Sequence, residues 1–202
     1  MKLSDLDLNK SYTYADYVKW TFQEVVELIK GRIIPMAAPL SNHQQTSSNL
    51  HATFKVFLRK KNCRVYHAPF DVRLPKPLSH RKSDEDIETV VQPDISIICD
   101  ISKIDRRGCI GAPDLIVEIL SKSTAAKDVK DKFEVYEEAG VKEYWLASVE
   151  DCTVSVFRLD SQGIYKADHR PYVKGDFIKV GILENFSVEV EEIFEGLLDF
   201  KN

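Results

Sequence analysis

The chain has 202 residues, 44% of them apolar and 30% charged, enough for one domain with a sizeable buried core and little beyond it. Its net charge of −4 and sequence pI near 5.8 exclude the broad positive field that carries non-specific nucleic-acid affinity, so a nucleic-acid partner must meet a local basic patch. No run approaches the roughly eighteen apolar residues of a membrane span, and the start, MKLSDLDLNK, has acids where a secretion signal needs a basic segment.

The expectation is therefore a cytoplasmic protein without a membrane partner. Cys63, Cys99, Cys109 and Cys152 show no C-x-x-C spacing, which suggests neither a zinc ribbon nor a disulfide framework; they read as reduced packing residues.

In chain order, Thr13 is placed to cap a short helix through Tyr17, Val18 and Trp20. FQEVVELIKGRIIPM reads as two strands joined by a turn at Lys30 and Gly31. From Ser41 to Lys61, Leu50, Phe54, Phe57 and Leu58 recur at helical spacing, with Ser41 as the cap and Gln44 three residues on. CRVYH and FDVRL read as strands, and the proline- and charge-rich PKPLSHRKSDEDIET as a surface loop.

VVQPDISIIC and PDLIVEIL are short Val- and Ile-rich runs that suit strands buried on both faces. Ser121 to Ala139 is patterned as a helix, with Val129, Phe133, Val135 and Tyr136 apolar and Gly140 as its stop. KEYWLAS and CTVSVFRL return to strand, and the remainder gives one or two further strands ending near a short acidic segment. The expectation is a mixed α/β fold, a central mixed sheet flanked by helices, in a single domain over 1–202. Its core spans about 12–165, with C-terminal strands in 166–202.

Asp94 and Glu118 each sit in an apolar run, where an ionised carboxylate costs several kcal/mol to desolvate unless a partner compensates it. A hard divalent cation, magnesium or manganese, would compensate both, since such an ion needs only one or two protein carboxylates beside waters and phosphate oxygens. The backbone carbonyl of Ile119 could add a ligand. A lysine nearby would orient the attacking water or stabilise developing negative charge. Position 120 is leucine, but the following helix offers Lys127, Lys130 and Lys132.

The pattern of PD at 93–94, EILSKST at 118–124, Asp128 four residues before Lys132, and Y-x-x-A-G-V-x-E-Y-W at 136–145 resembles the Uma-two family, a branch of the PD-(D/E)xK nuclease superfamily. ELIKG at 27–31 and His43-Gln44 extend the resemblance from about Tyr12 to about Tyr165. It implies a restriction-endonuclease-like core and a metal-dependent endonuclease acting on DNA, with Asp94 and Glu118 as metal ligands. It also implies Lys132 as a displaced catalytic lysine and Glu27 as a further acid from the first helix or strand. A homodimer is the oligomer such cleavage suggests.

Other residues read more blandly. His43 near a helix start reads as a surface residue, Asp71 as an acid paired with Arg73, and Asp114 as the turn into its strand. Tyr136, Tyr144 and Trp145 read as core packing rather than base-stacking residues. Two other functions stand beside the nuclease: a nuclease fold without efficient catalysis that binds nucleic acid or protein, which Leu120 permits, and a small-molecule hydrolase. The latter lacks a nucleophile elbow, HExxH or Gly-rich phosphate loop.

Overall fold

The computed structural model describes residues 2–76, 83–120 and 126–200, with side chains in the last segment from 129 onward. The fold is mixed α/β, but its strands divide between two six-stranded sheets rather than one. The first sheet has the order β2 (Arg32–Pro35), β1 (Val26–Ile29), β5 (Val90–Val91), β4 (Val72–Arg73), β8 (Gly108–Ile110), β7 (Ile104–Asp105). The second runs β12 (Tyr165–Ala167), β11 (Thr153–Leu159), β10 (Glu143–Ser148), β9 (Leu115–Leu120), β6 (Ile95–Ile98), β3 (Arg64–His67).

A small pair, β13 (Phe177–Lys179) and β14 (Ser187–Glu189), and the helices α1 (Tyr14–Tyr17), α2 (Ser41–Phe57), α3 (Ala126–Ala139) and α4 (Val190–Ile193) complete it. The C-terminal part thus holds three short strands and a helix where the sequence suggests one or two strands. No helix among the described residues is long and apolar enough to cross a membrane.

Local chemistry explains several elements. Lys30 and Gly31 both take positive φ, 50° and 80°, the geometry of a tight hairpin turn; a Cβ on Gly31 would lie 2.0 Å from Ser11 Oγ. Thr13 and Asp16 form a capping box on α1. The cap of α2 is Leu40, without a side-chain bond, so Ser41 is the first helical residue rather than the cap, and α2 stops at Phe57 instead of reaching Lys61. Gly140, at φ 84°, ends α3 as expected. The expected start of that helix at 121–125, and positions 77–82 of the charged loop, lie outside the described residues.

Period-two alternation through the second sheet separates two cores. Ile95, Ile97, Leu115, Val117, Trp145 and Ala147 pack with Leu50 and Phe54 of α2. Ile98, Ile116 and Tyr144 pack with Val135 and Tyr136 of α3 and with Ile29, Val72 and Val91 of the first sheet. Glu118 alternates with Val117 and Ile119, so it stands on the α3 face. In β1, Val26 and Leu28 pack against Tyr12, Tyr14 and Ile87, which turns Glu27 with Ile29 toward α3. Tyr136, Tyr144 and Trp145 are fully buried, in keeping with core packing.

The cysteine expectation needs correction. Arg64 of β3 lies opposite Ile98 of β6, so Cys63 and Cys99 meet one residue beyond, and a disulfide joins them. Spacing along the chain cannot reveal a pairing that arises across strands. Cys109 and Cys152 are free thiols.

Phe54 is fully buried against Trp145 at 5.9 Å between ring centroids, and against Phe186. Phe54→Ala is expected to lower unfolding stability by about 3–5 kcal/mol, whereas Val56→Ala, on the exposed side of the same helix, should change it by no more than about 0.5 kcal/mol. Denaturant titration of both variants checks this; equal losses would contradict the assigned helix face.

Candidate active site

Asp94 stands one residue before β6, and Glu118 is the fourth residue of β9. The antiparallel register that sets Ile95 opposite Val117 brings the two acids side by side at the strand ends. Asp94 Oδ2 accepts a hydrogen bond from the Ile119 N–H at 2.7 Å, so the backbone of β9 fixes the carboxylate that the Pro93-Asp94 step delivers. His43, from the first turn of α2, places Nε2 3.3 Å from the same oxygen.

Lys132 and Tyr136 lie four residues apart on one face of α3. Both reach Glu118 Oε1: the Lys132 ammonium at 3.0 Å and the Tyr136 hydroxyl, which donates, at 2.6 Å. Lys132 also lies 2.9 Å from Glu27 Oε1, which in turn accepts from the Gln92 N–H at 2.8 Å. The structure therefore gathers Glu118, Lys132 and Glu27 around one cleft of about 180 Å³, lined also by Pro35, Met36, Ile119 and Leu120, with Asp94 beside it, bonded to the Ile119 N–H. Leu120 does not carry the ammonium to Glu118; Lys132 arrives from the helix instead. Lys130 is exposed near Glu134, and the side chains of Lys127 and Asp128 lie outside the described residues.

Electrostatics follow from burial and from two carboxylates sharing one lysine, with a third, Asp94, beside Glu118. Glu118 is pushed up to about 7: burial raises it most, Lys132 pulls it down, and the Asp94 and Glu27 charges add to the rise. Burial opposes the charge on Lys132, but Glu118 and Glu27 more than reverse that, so its pKa is raised. Burial likewise opposes a proton on His43, but the Asp94 hydrogen bond and charge, followed by Glu118, outweigh it and raise its pKa. Such an excess of negative charge in a poorly solvated place is what a bound cation relieves.

No group of three or more His, Cys, Asp or Glu side chains converges on a metal-holding point among the described residues, so the site offers no all-protein cage. The donor set still fits a magnesium-type ion, which takes oxygen ligands and needs one or two protein carboxylates. Oδ2 of Asp94 and Oε1 of Glu118 are engaged by protein donors. Their partner oxygens accept no hydrogen bond from the described residues.

The sequence alone makes His43 a surface residue, yet it is largely buried beside Asp94, and its Nδ1 is buried without a hydrogen-bond partner among the described residues. Tyr136 does more than pack: its hydroxyl bond to Glu118 escapes sequence reasoning, and its place four residues after Lys132 is the available signal. Asp71 is not paired with Arg73. It accepts from Gln92 Nε2 at 2.8 Å and from the Tyr17 hydroxyl at 3.3 Å, while Arg73 pairs with Asp105 at 2.5 Å. Asp114 does open β9, accepting from the Cys99 N–H at 2.7 Å.

Since the folded-state pKa of Glu118 is raised, its contribution to stability is full below the unfolded carboxylate range and is lost as pH rises through about 7. Without divalent metal, the wild type is expected to lose stability relative to Glu118→Gln between about pH 5 and 8, by at most about 3 kcal/mol. Parallel stability curves for the two proteins across that window would contradict the assignment.

The model of the Uma2 family, described as "Putative restriction endonuclease", matches residues 14–191, beyond the expected end near Tyr165. The Synechocystis protein slr1290 is 25% identical over 190 residues, covering 90% of each chain. A second Synechocystis protein, sll1609, is 29% identical over 131 residues, 63% of this chain and 68% of its own. In fold, the chain is similar to a crystal structure from Anabaena variabilis described as a "putative nuclease belonging to DUF820". The TM-score is 0.69 at 20% identity, and the match covers 91% of this chain and 97% of that one.

Proposed function

We propose that this chain, which belongs to the Uma2 family described as "Putative restriction endonuclease", hydrolyses DNA phosphodiester bonds with a divalent cation, magnesium or manganese. The observation that carries this reading is the juxtaposition of Asp94 with Glu118 across neighbouring strands, at the edge of a cleft that Glu118 lines and that also receives the Lys132 ammonium.

Asp94 and Glu118 would hold the cation, with the Ile119 carbonyl as a third protein oxygen. When bound, the cation supplies Lewis-acid polarisation of the phosphate and acidifies water at the site. The protein's own groups do the rest. The Ile119 N–H and His43 hold Oδ2 of Asp94, leaving Oδ1 for the ligand side. Tyr136 and Lys132 engage Oε1 of Glu118, leaving Oε2 in the same role.

Lys132, kept charged by Glu27 and Glu118, orients the attacking water and stabilises negative charge as it builds on the phosphate oxygens. Glu27, fixed by the Gln92 N–H, anchors that ammonium from β1. The non-catalytic alternative draws its support from Leu120, and the 3.0 Å approach of Lys132 to Glu118 supports the catalytic reading over it.

Cleavage of supercoiled plasmid and of single-stranded DNA with magnesium, manganese or chelator tests this. Asp94→Ala and Glu118→Ala should each reduce metal-dependent cleavage at least about 100-fold with circular dichroism unchanged, and Lys132→Met should slow it by about 10²–10³. Metal-dependent cleavage that survives both carboxylate changes would reject the site.

A further inference from the structure

Residues 28–70 contain no aspartate or glutamate and seven lysines and arginines, so this segment carries +7 in a chain of net charge −4, leaving −11 on the remainder. Five of the seven, Lys55, Arg59, Lys60, Lys61 and Arg64, are exposed around a depression of about 300 Å³ where α2 ends and β3 begins. None of them forms an ion pair with a described acid. By contrast, Lys142, Arg158, Lys166, Arg170 and Lys174 are each paired with one. Cations left unpaired by the described acids are available to an external anion.

Two rails connect this cluster to the candidate active site. Along α2, His43, Ser47, His51 and Lys55 follow one another at four-residue steps, a single ridge of the helix, and Arg59 follows in the turn beyond its end. The ridge begins beside Asp94, and α2 ends at Phe57, about 21 Å away at 1.5 Å per residue. β3 returns from Arg64 to Ala68, whose N–H donates to the Asp94 carbonyl at 3.3 Å, a path of about 13 Å. The His51 and His67 rings meet edge-on at 4.7 Å and tie the rails together. β3 is also the edge strand of its sheet, so no further strand among the described residues covers it.

We infer that the α2–β3 face is the track that holds the nucleic-acid backbone leading away from the cleft, contacting phosphates about four to six base-pair steps from the cleaved bond at ~3.4 Å per step. The inference rests on the nuclease reading of the Asp94–Glu118 site. Phosphate contacts of this kind position a duplex without reading its sequence. The strongly acidic remainder of the molecule repels the same backbone and confines it to this face.

The test is fluorescence anisotropy of a labelled duplex of about 20 base pairs, long enough at ~3.4 Å per pair to span the track, measured in chelator across a salt series. The triple variant Lys55→Gln, Arg59→Gln, Lys61→Gln should bind at least about tenfold more weakly near 0.15 M salt. The slope of log affinity against log salt should fall by about 2.7, since each phosphate that is no longer neutralised lowers it by ~0.9. The control triple Lys166→Gln, Lys174→Gln, Lys179→Gln should match the wild type, and manganese binding should be unchanged in both.

An unaltered slope in the first triple, with cleavage retained, would overturn the track and leave the nuclease standing. A reduced slope in a protein that never cleaves would uphold the track and sink the catalytic reading. Wild-type binding to anionic lipid vesicles but not to the duplex would overturn the track in favour of a membrane surface.

Discussion

A buried triangle of Glu27, Glu118 and Lys132 holds the candidate site together. It joins β1 of the first sheet, β9 of the second and α3 between them through one ammonium, 2.9 Å and 3.0 Å from the two carboxylates. Each acid is almost wholly withdrawn from water, so removing the lysine would leave two uncompensated charges in the interior, a loss of several kcal/mol. One pair of opposite charges is balanced there; the second acid, together with Asp94, leaves negative charge in excess. That imbalance is a cost in folding and would be an asset to the proposed cation binding, which is a common relation between stability and function.

The scaffold explains why the imbalance sits where it does. Short buried strands place Asp94 and Glu118 at neighbouring ends of β6 and β9, and period-two alternation aims Glu118 and Glu27 at the same helix. Backbone hydrogen bonds from Ile119 and Gln92 fix Asp94 and Glu27 without further charge. Glu27, Glu118 and Lys132 thus stand on regular secondary structure and Asp94 directly before a strand, the arrangement that positions groups most tightly.

Much of this is legible in the chain. A charged residue flanked by Val117 and Ile119, or following Pro93 into an apolar run, announces itself because hydrocarbon around a carboxylate demands a reason. The α2, β9, α3 and β10 elements are legible because their patterns are long enough to show a period. The division into two sheets is not, since β4, β5 and β7 span two residues each, too few for alternation to register. His43 and Tyr136 escape for a different reason: each acquires its role only through a partner from a distant strand. The Cys63–Cys99 bond likewise follows from the β3–β6 register. Charge distribution, in contrast, is a property of the sequence that net charge conceals. An overall −4 hides a segment of forty-three residues without a single acid.

If Asp94 and Glu118 together hold a divalent cation, anomalous diffraction from a manganese-soaked crystal will show it. The expected result is a peak between the two carboxylates, about 2.1 Å from an oxygen of each, with the Lys132 ammonium beside it. A peak elsewhere, or none at saturating manganese with both carboxylates ordered, would contradict the shared site.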